Sequence, residues 1–195
     1  MRTAYKFLSA GAVSPFTRFR WPKEGEWVFA REDREEEWVF ACRPGDLPYW
    51  LEEELWLVEL SEPVREARYQ ISAPGARLLS RIHRFDAQLR REFATACARR
   101  ARELALPALP GDLSDRIARA HSLSEAAAAA RAAPPSSLIA GYLGDALACA
   151  AEDVAATSYI TCILAAARGG GEASFEAERA WQARWLSERL SLEAQ

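Results

Sequence analysis

Hydrophobic positions recur with a period near two up to residue 82 and with a period near 3.6 from Phe85 onward, so strands are expected first and helices afterward. The strand patterns cover 3–8, 26–30, 37–41 and 55–60, with weaker ones at 65–72 and 76–82. Segments 26–30 and 37–41 are the same pentapeptide, Glu-Trp-Val-Phe-Ala, on either side of the charged connection 31–36. That arrangement predicts a hairpin. In each copy the Trp and Phe fall on one face and the Val on the other, so both faces of the ribbon are expected to meet protein.

Pro44-Gly45-Asp46 reads as a turn in which proline presets φ, glycine accepts a positive φ and Asp46 caps a short helix over 47–53. Four helices are predicted beyond it, over 86–106, 113–132, 137–168 and 172–190, punctuated by Pro107, Pro134-Pro135 and Gly169-Gly170-Gly171. The expected fold is α+β, a small mostly antiparallel N-terminal sheet followed by a four-helix, bundle-like C-terminal region. The subdomains are 1–82 and 83–195, within one compact unit. Residues 138–167 are nearly all apolar or small, yet Asp145, Glu152 and Asp153 interrupt them, which predicts a buried central helix and no membrane span. Gly141, Gly144, Ala148 and Ala151 are expected to let neighbouring backbones approach it closely.

Composition adds few constraints. Half of the 195 residues are hydrophobic and 27% are charged, the balance of a globular chain. Four widely spaced cysteines and no secretory pattern at the N-terminus predict reduced thiols and a cytoplasmic location. Charge is uneven: residues 76–106 carry eight basic and three acidic side chains, between two acidic stretches. The arginines of that segment are expected to pair within the molecule, because its aromatics, Phe85 and Phe93, sit on the apolar side and leave no stacking platform for nucleic acid.

Candidate chemistry is sparse. Asp145 and Glu152, seven residues apart on one predicted helix, would share a face, but neither His83 nor His121 completes a metal pattern and no metal is expected. Cys42, at a strand end before the turn, lacks a histidine base nearby in sequence. Gly169 to Gly171 follows a helix and lacks the Gly-Lys-Ser/Thr ending of a phosphate loop.

Two resemblances follow from particular residues. Ala4-Tyr5-Lys6-Phe7-Leu8 and the run from Trp38 through Ala41-Cys42-Arg43 to Leu47-Pro48-Tyr49-Trp50 resemble a group of small uncharacterised bacterial proteins, and 178–190 is similar to their helical tail. Where that group carries Gly-hydrophobic-His-Ala-Cys, this chain has Trp38-Val39-Phe40-Ala41-Cys42, so a role needing the histidine is not implied here. The order of strand, turn, short helix with Tyr49 and strand ending at Leu60 is also similar to the middle of the ADP-ribosyltransferase fold. That likeness implies a split sheet clamping NAD, with Tyr5, Tyr49 and Glu59 as the positions to test.

The residues themselves assemble no nucleophile, base and oxyanion donors. The expectation is therefore a non-catalytic bacterial interaction or assembly protein with no cofactor, acting on a protein partner or by self-association and not on nucleic acid or membrane. Its anchors would be whichever of Trp21, Trp27, Trp38 and Trp50 remain outside the core. The alternative is an active or degenerate ADP-ribosyltransferase-like enzyme with NAD as cofactor.

Overall fold

The computed structural model describes residues 2–30 and 38–192. They form an α+β fold of antiparallel N-terminal sheets and C-terminal helices that pack against each other. The chain divides into two units, one comprising Met1–Ala87 with Ala183–Gln195, the other Gln88–Gln182. The last residues of the final helix group with the sheets.

In the first unit, β1 (Arg2–Leu8), β4 (Glu54–Leu60), β7 (Gly75–Arg81) and β2 (Trp27–Phe29) make a four-stranded sheet in the order β1-β4-β7-β2. A three-stranded sheet has the order β3 (Val39–Ala41), β6 (Gln70–Ala73), β5 (Arg65–Ala67). Alternate residues of the long strands, Ala4 and Leu8 on β1 with Trp56, Val58 and Leu60 on β4, share a core with Ala41, Ile71 and Ala73 of the smaller sheet and with Trp21. The second unit is built on small side chains. Ala126, Ala127 and Ala130 of α3 (Leu123–Arg131) and Ala140, Leu143 and Ala146 of α4 (Leu138–Cys149) are buried together. Alanine faces let helix axes approach closely, and a Cβ on Gly144 would crowd Arg131 Cγ at 2.9 Å.

The repeat does not form a hairpin. β2 pairs with β7, setting Phe29 opposite Gly75, and β3 pairs with β6 in the other sheet, setting Val39 opposite Ala73. The turn at Pro74 carries the chain from one sheet to the other and supplies a partner to each copy. Only glycine serves at 75, because a Cβ there would overlap the Phe29 ring. The connection expected to close the hairpin lies outside the described residues.

Three further expectations change. The predicted strand 65–72 is two strands, since Ala67 pairs with Gln70 across a tight turn. The predicted second helix is α2 (Gly111–Arg119) followed by α3, because Ser122 caps α3 by accepting from Glu125 N at 3.1 Å. The predicted third helix is α4 followed by α5 (Val154–Ala165), because Asp153 caps α5 by accepting from Ala156 N at 2.8 Å. The helical region therefore has six α-helices among the described residues, including α1 (Ala87–Ala105) and α6 (Gly171–Leu190), and not four. Of the small residues noted for close approach, Gly144 meets α3 and Ala148 is half-buried against the helical core, Gly141 and Ala151 being exposed. No helix among the described residues is long and apolar enough to cross a membrane.

Candidate functional site

The first unit contains a cleft of about 770 Å³. Its walls come from β1, from the loop carrying Phe16 and Phe19, from β2, from β3 and from the turn ending in Tyr49 and Trp50. A bridge between Tyr5 and Cys42, Tyr5 N to Cys42 O at 2.9 Å and Cys42 N to Tyr5 O at 2.7 Å, joins the two sheets at one side. Beyond that bridge β1 and β3 do not pair with each other.

The base of the 14–19 loop is held by the buried Glu54 and the exposed Glu53. Gly11 N and Ala12 N each donate to Glu54 at 3.1 Å, as does Trp56 Nε1, while Arg81 pairs with Glu54 at 3.0 Å. Ala10 N donates to Glu53 at 2.5 Å. Consecutive amides turned toward carboxylates form an anion nest, here filled from within the chain. Burial works to raise the Glu54 carboxyl, and the hydrogen bonds from Gly11, Trp56 and Ala12 with the charge of Arg81 outweigh it, holding it below the ordinary carboxylate range. The loop then returns through Trp21 N to Ala12 O at 2.9 Å, with Phe16 84% exposed at its tip.

Lys6 occupies an inward position of β1, between the core residues Ala4 and Leu8. Its ammonium donates to Phe40 O at 2.6 Å and lies 5.4 Å from the centre of the Trp21 ring. No carboxylate pairs with it among the described residues. The residue is half-buried. That burial lowers its pKa to about 8 against a smaller opposing influence from Cys42. Lys6 was not singled out by the sequence reading, though a lysine at an inward position of an alternating apolar strand was the available signal.

The four tryptophans proposed as anchors fare differently. Trp21 is only 6% exposed and its Nε1 donates to Ser14 Oγ at 3.0 Å, so it belongs to the core while forming part of the cleft wall. Trp27 stacks on Phe29 and carries Arg77 over its ring at 5.1 Å; Trp38 is covered by Arg65 at 4.7 Å. Trp50 Nε1 donates to Tyr69 O at 2.7 Å. All three are half-buried. The exposed aromatics of this unit are phenylalanines: Phe16, Phe19, Phe29 at 62% and Phe40 at 37%. Phe29 and Phe40 come from the two copies of the repeat whose faces were both expected to be covered.

Of the positions implied by the ADP-ribosyltransferase likeness, Tyr5 and Tyr49 line the cleft. Tyr49 stacks on Tyr69 with ring centres 4.1 Å apart. Glu59 is not in the cleft wall; it is buried and holds Arg77, with Nε at 2.6 Å and Nη2 at 2.5 Å. Asp46 stands at the third position of the short helix Pro44–Tyr49 and accepts from Arg43 N at 3.2 Å and Nε at 2.6 Å, where a first-position cap was expected. Gly45 does not take a positive φ. Cys42 is buried, and burial with the charge of Asp46 pushes its thiol well up, so it is protonated at neutral pH.

The second unit holds a buried polar cluster. Arg179 Nη1 donates to Ser158 Oγ at 2.7 Å and to Gln182 Oε1 at 3.1 Å, and Ser158 Oγ donates to Gln182 Oε1 at 2.7 Å. Gln182 Nε2 donates to Ser158 O at 3.0 Å. Arg100 reaches the buried Glu178 at 3.3 Å. Burial raises the Glu178 carboxyl above its ordinary value, with Arg100 and Gln182 pulling it back. These residues escaped the sequence reading because polar types on α6 were assigned outward, whereas Glu178, Arg179 and Gln182 face inward. The network ties α5 to α6.

The remaining candidates resolve into local contacts. Asp145 is exposed on α4 and meets Arg131 at 3.3 Å, while Glu152 lies in the turn after that helix, so the two carboxylates do not share a helical face. No group of His, Cys, Asp or Glu among the described residues is arranged to hold a metal. Several arginines of the basic segment are engaged internally: Arg77 by Glu59, Arg81 by Glu54, Arg100 by Glu178, and Arg102 by Ala118 O. No protein-family model, curated protein or solved structure matches the chain.

Proposed function

We propose that the protein is a non-catalytic interaction protein whose contact surface is the phenylalanine rim of the cleft in the first unit. The observation that carries this reading is the exposure of Phe16, Phe29 and Phe40 around one aromatic concavity. Exposed apolar clusters around a concave surface are where partners anchor. The reading is supported by the state of Cys42 as a protonated, buried thiol and by the intramolecular pairing of the acids that might have served as bases.

The test is the light-scattering mass of the full chain over a wide concentration range. A mass that rises for the wild type and stays monomeric for the Phe16→Ser/Phe29→Ser/Phe40→Ser variant identifies a second copy as partner. If the wild type stays monomeric, a photo-crosslinking residue at 29 is expected to give a discrete protein adduct in cells, with one at the exposed Glu188 as control. Absence of both self-association and adduct removes the reading.

A second reading has one observation in its favour, the presence of Tyr5 and Tyr49 in the same cleft wall. On it the cleft holds NAD, as the ADP-ribosyltransferase likeness implies, with the glutamate role unfilled because Glu59 is held by Arg77. Calorimetry with NAD decides it: no heat at millimolar ligand eliminates the enzyme.

A further inference from the structure

We infer that the floor of the cleft is a binding site for a small monocarboxylate with an apolar, aromatic body, held at its carboxylate by Lys6. The inference stands on Lys6 and the cleft walls and not on the phenylalanine rim, so it and the partner reading fail separately.

Size comes first. Clefts of a few hundred to about 1,000 Å³ lined by aromatic side chains with a few polar groups are the usual form of small-ligand sites, and this one encloses about 770 Å³. Charge comes second. An ammonium has three N–H donors; Phe40 O takes one and the Trp21 ring faces the charge. Among the described residues only a carbonyl and a ring meet this half-buried cation, and withdrawing a charge from water against such partners is costly unless an anion joins it. The same position filled by methionine would complete the core without that cost, so stability does not account for a lysine here.

The character of the anion follows from the rest of the wall. Among its described residues Lys6 is the only cationic side chain, and no arginine fork is present to hold a phosphate by two bonds. Glu52, near Ser9 Oγ at 3.4 Å, adds a negative charge to the wall and disfavours a dianion. One positive point and aromatic walls therefore select a single carboxylate on a ring-bearing body.

The experiment is isothermal calorimetry on the full chain with 1-naphthylacetate, the matched alcohol 2-(1-naphthyl)ethanol and 1-naphthylmethylamine. A charge-assisted hydrogen bond gives the acid roughly a tenfold advantage over the alcohol, with the amine weakest because it meets Lys6. Lys6→Met is expected to abolish the acid's advantage and leave the alcohol's affinity unchanged, while Lys6→Arg retains the preference. Equal binding of acid and alcohol by the wild type, tighter binding of the amine, no binding of any probe, or an undiminished preference in Lys6→Met would each overturn the inference. Should Lys6→Met not fold, the wild-type ranking of the three probes together with Lys6→Arg decides.

Discussion

Lys6 in the sheet unit and Arg179 in the helical unit are both cations placed on inward faces, and their surroundings are opposite. Arg179 Nη1 meets Ser158 and Gln182, which in turn bond each other and the backbone, so that end of the guanidinium is built into a polar side-chain network, while its buried Nε finds no hydrogen-bond acceptor among the described residues. Lys6 meets a backbone carbonyl and the face of a ring, and beside it lies an open cleft. A buried polar group whose bonds are completed by its neighbours specifies packing. One whose charge is left for something else to complete marks a site. Polarity in the core thus has two meanings here, separated by whether neighbouring side chains or an open cleft face the charge.

The strongest way to break the comparison is to disrupt the buried network of α5 and α6. Gln182→Ala removes the acceptor shared by Arg179 and Ser158, and a loss of about 2–4 kcal/mol in urea unfolding is expected, the usual cost of stranding buried partners. A loss under about 0.5 kcal/mol would show that the network is not the structural element described, since changes of that size are typical of surface sites.

Glu54 provides the next largest effect, because its carboxylate serves two amides, an indole and a guanidinium. Glu54→Ala is expected to cost about 2–3 kcal/mol and to release the Phe16 loop, read as faster amide exchange at 10–12. Its folded pKa lies below the ordinary value, so the stabilisation is complete above the unfolded carboxylate range and is lost as pH falls through the folded pKa. Glu54→Gln should accordingly flatten the acid limb of the stability curve below about pH 4.

Lys6→Met sharpens the contrast by sign. Where Gln182→Ala destabilises, this substitution is expected to leave stability unchanged or raise it by about 1 kcal/mol, as replacing a buried charge by an apolar side chain does. Because the folded pKa of about 8 lies below the ordinary 10.5, the unfolded chain binds more protons between those values. Wild-type stability relative to the variant should then rise with pH across that interval, measured as the difference between the two unfolding curves.

The smallest effect is expected at Glu178. Its carboxyl is raised by burial, so its contribution to stability falls as pH climbs from the ordinary carboxylate range through the raised folded value. Glu178→Gln should remove that slope in thermal melts taken upward from the ordinary carboxylate range, at a change of under about 1 kcal/mol, the protonated acid and the amide being near equivalents.

Several of these features were legible beforehand. The change of period marked where strands give way to helices, and Gly169 does adopt a positive φ between α5 and α6; the short helix expected over 47–53 lies instead at Pro44–Tyr49, with Pro44 inside it. The cap at Ser122 was also readable, since Ser122-Leu123-Ser124-Glu125 has the spacing of a capping box, but the alanines beyond it favoured one continuous helix. The turn between β5 and β6 left no such signal. Arg68 and Tyr69 are not turn formers, and the turn is secured from a distance, by Arg43 Nη2 donating to Ala67 O and Arg68 O and by Trp50 donating to Tyr69 O.

What the sequence alone determined was the class of each segment, because period, caps and punctuation are local and act on the residues that carry them. What the tertiary structure decided was partnership. Two copies of one pentapeptide joined different sheets, because a strand's hydrogen-bonding edge has no sequence and accepts whichever edge the rest of the chain delivers. Lys6 came to line a cleft, and Arg179 and Gln182 to share a buried network, for the same reason: polarity is a property of the residue, but which partners it meets depends on neighbours brought from elsewhere in the chain.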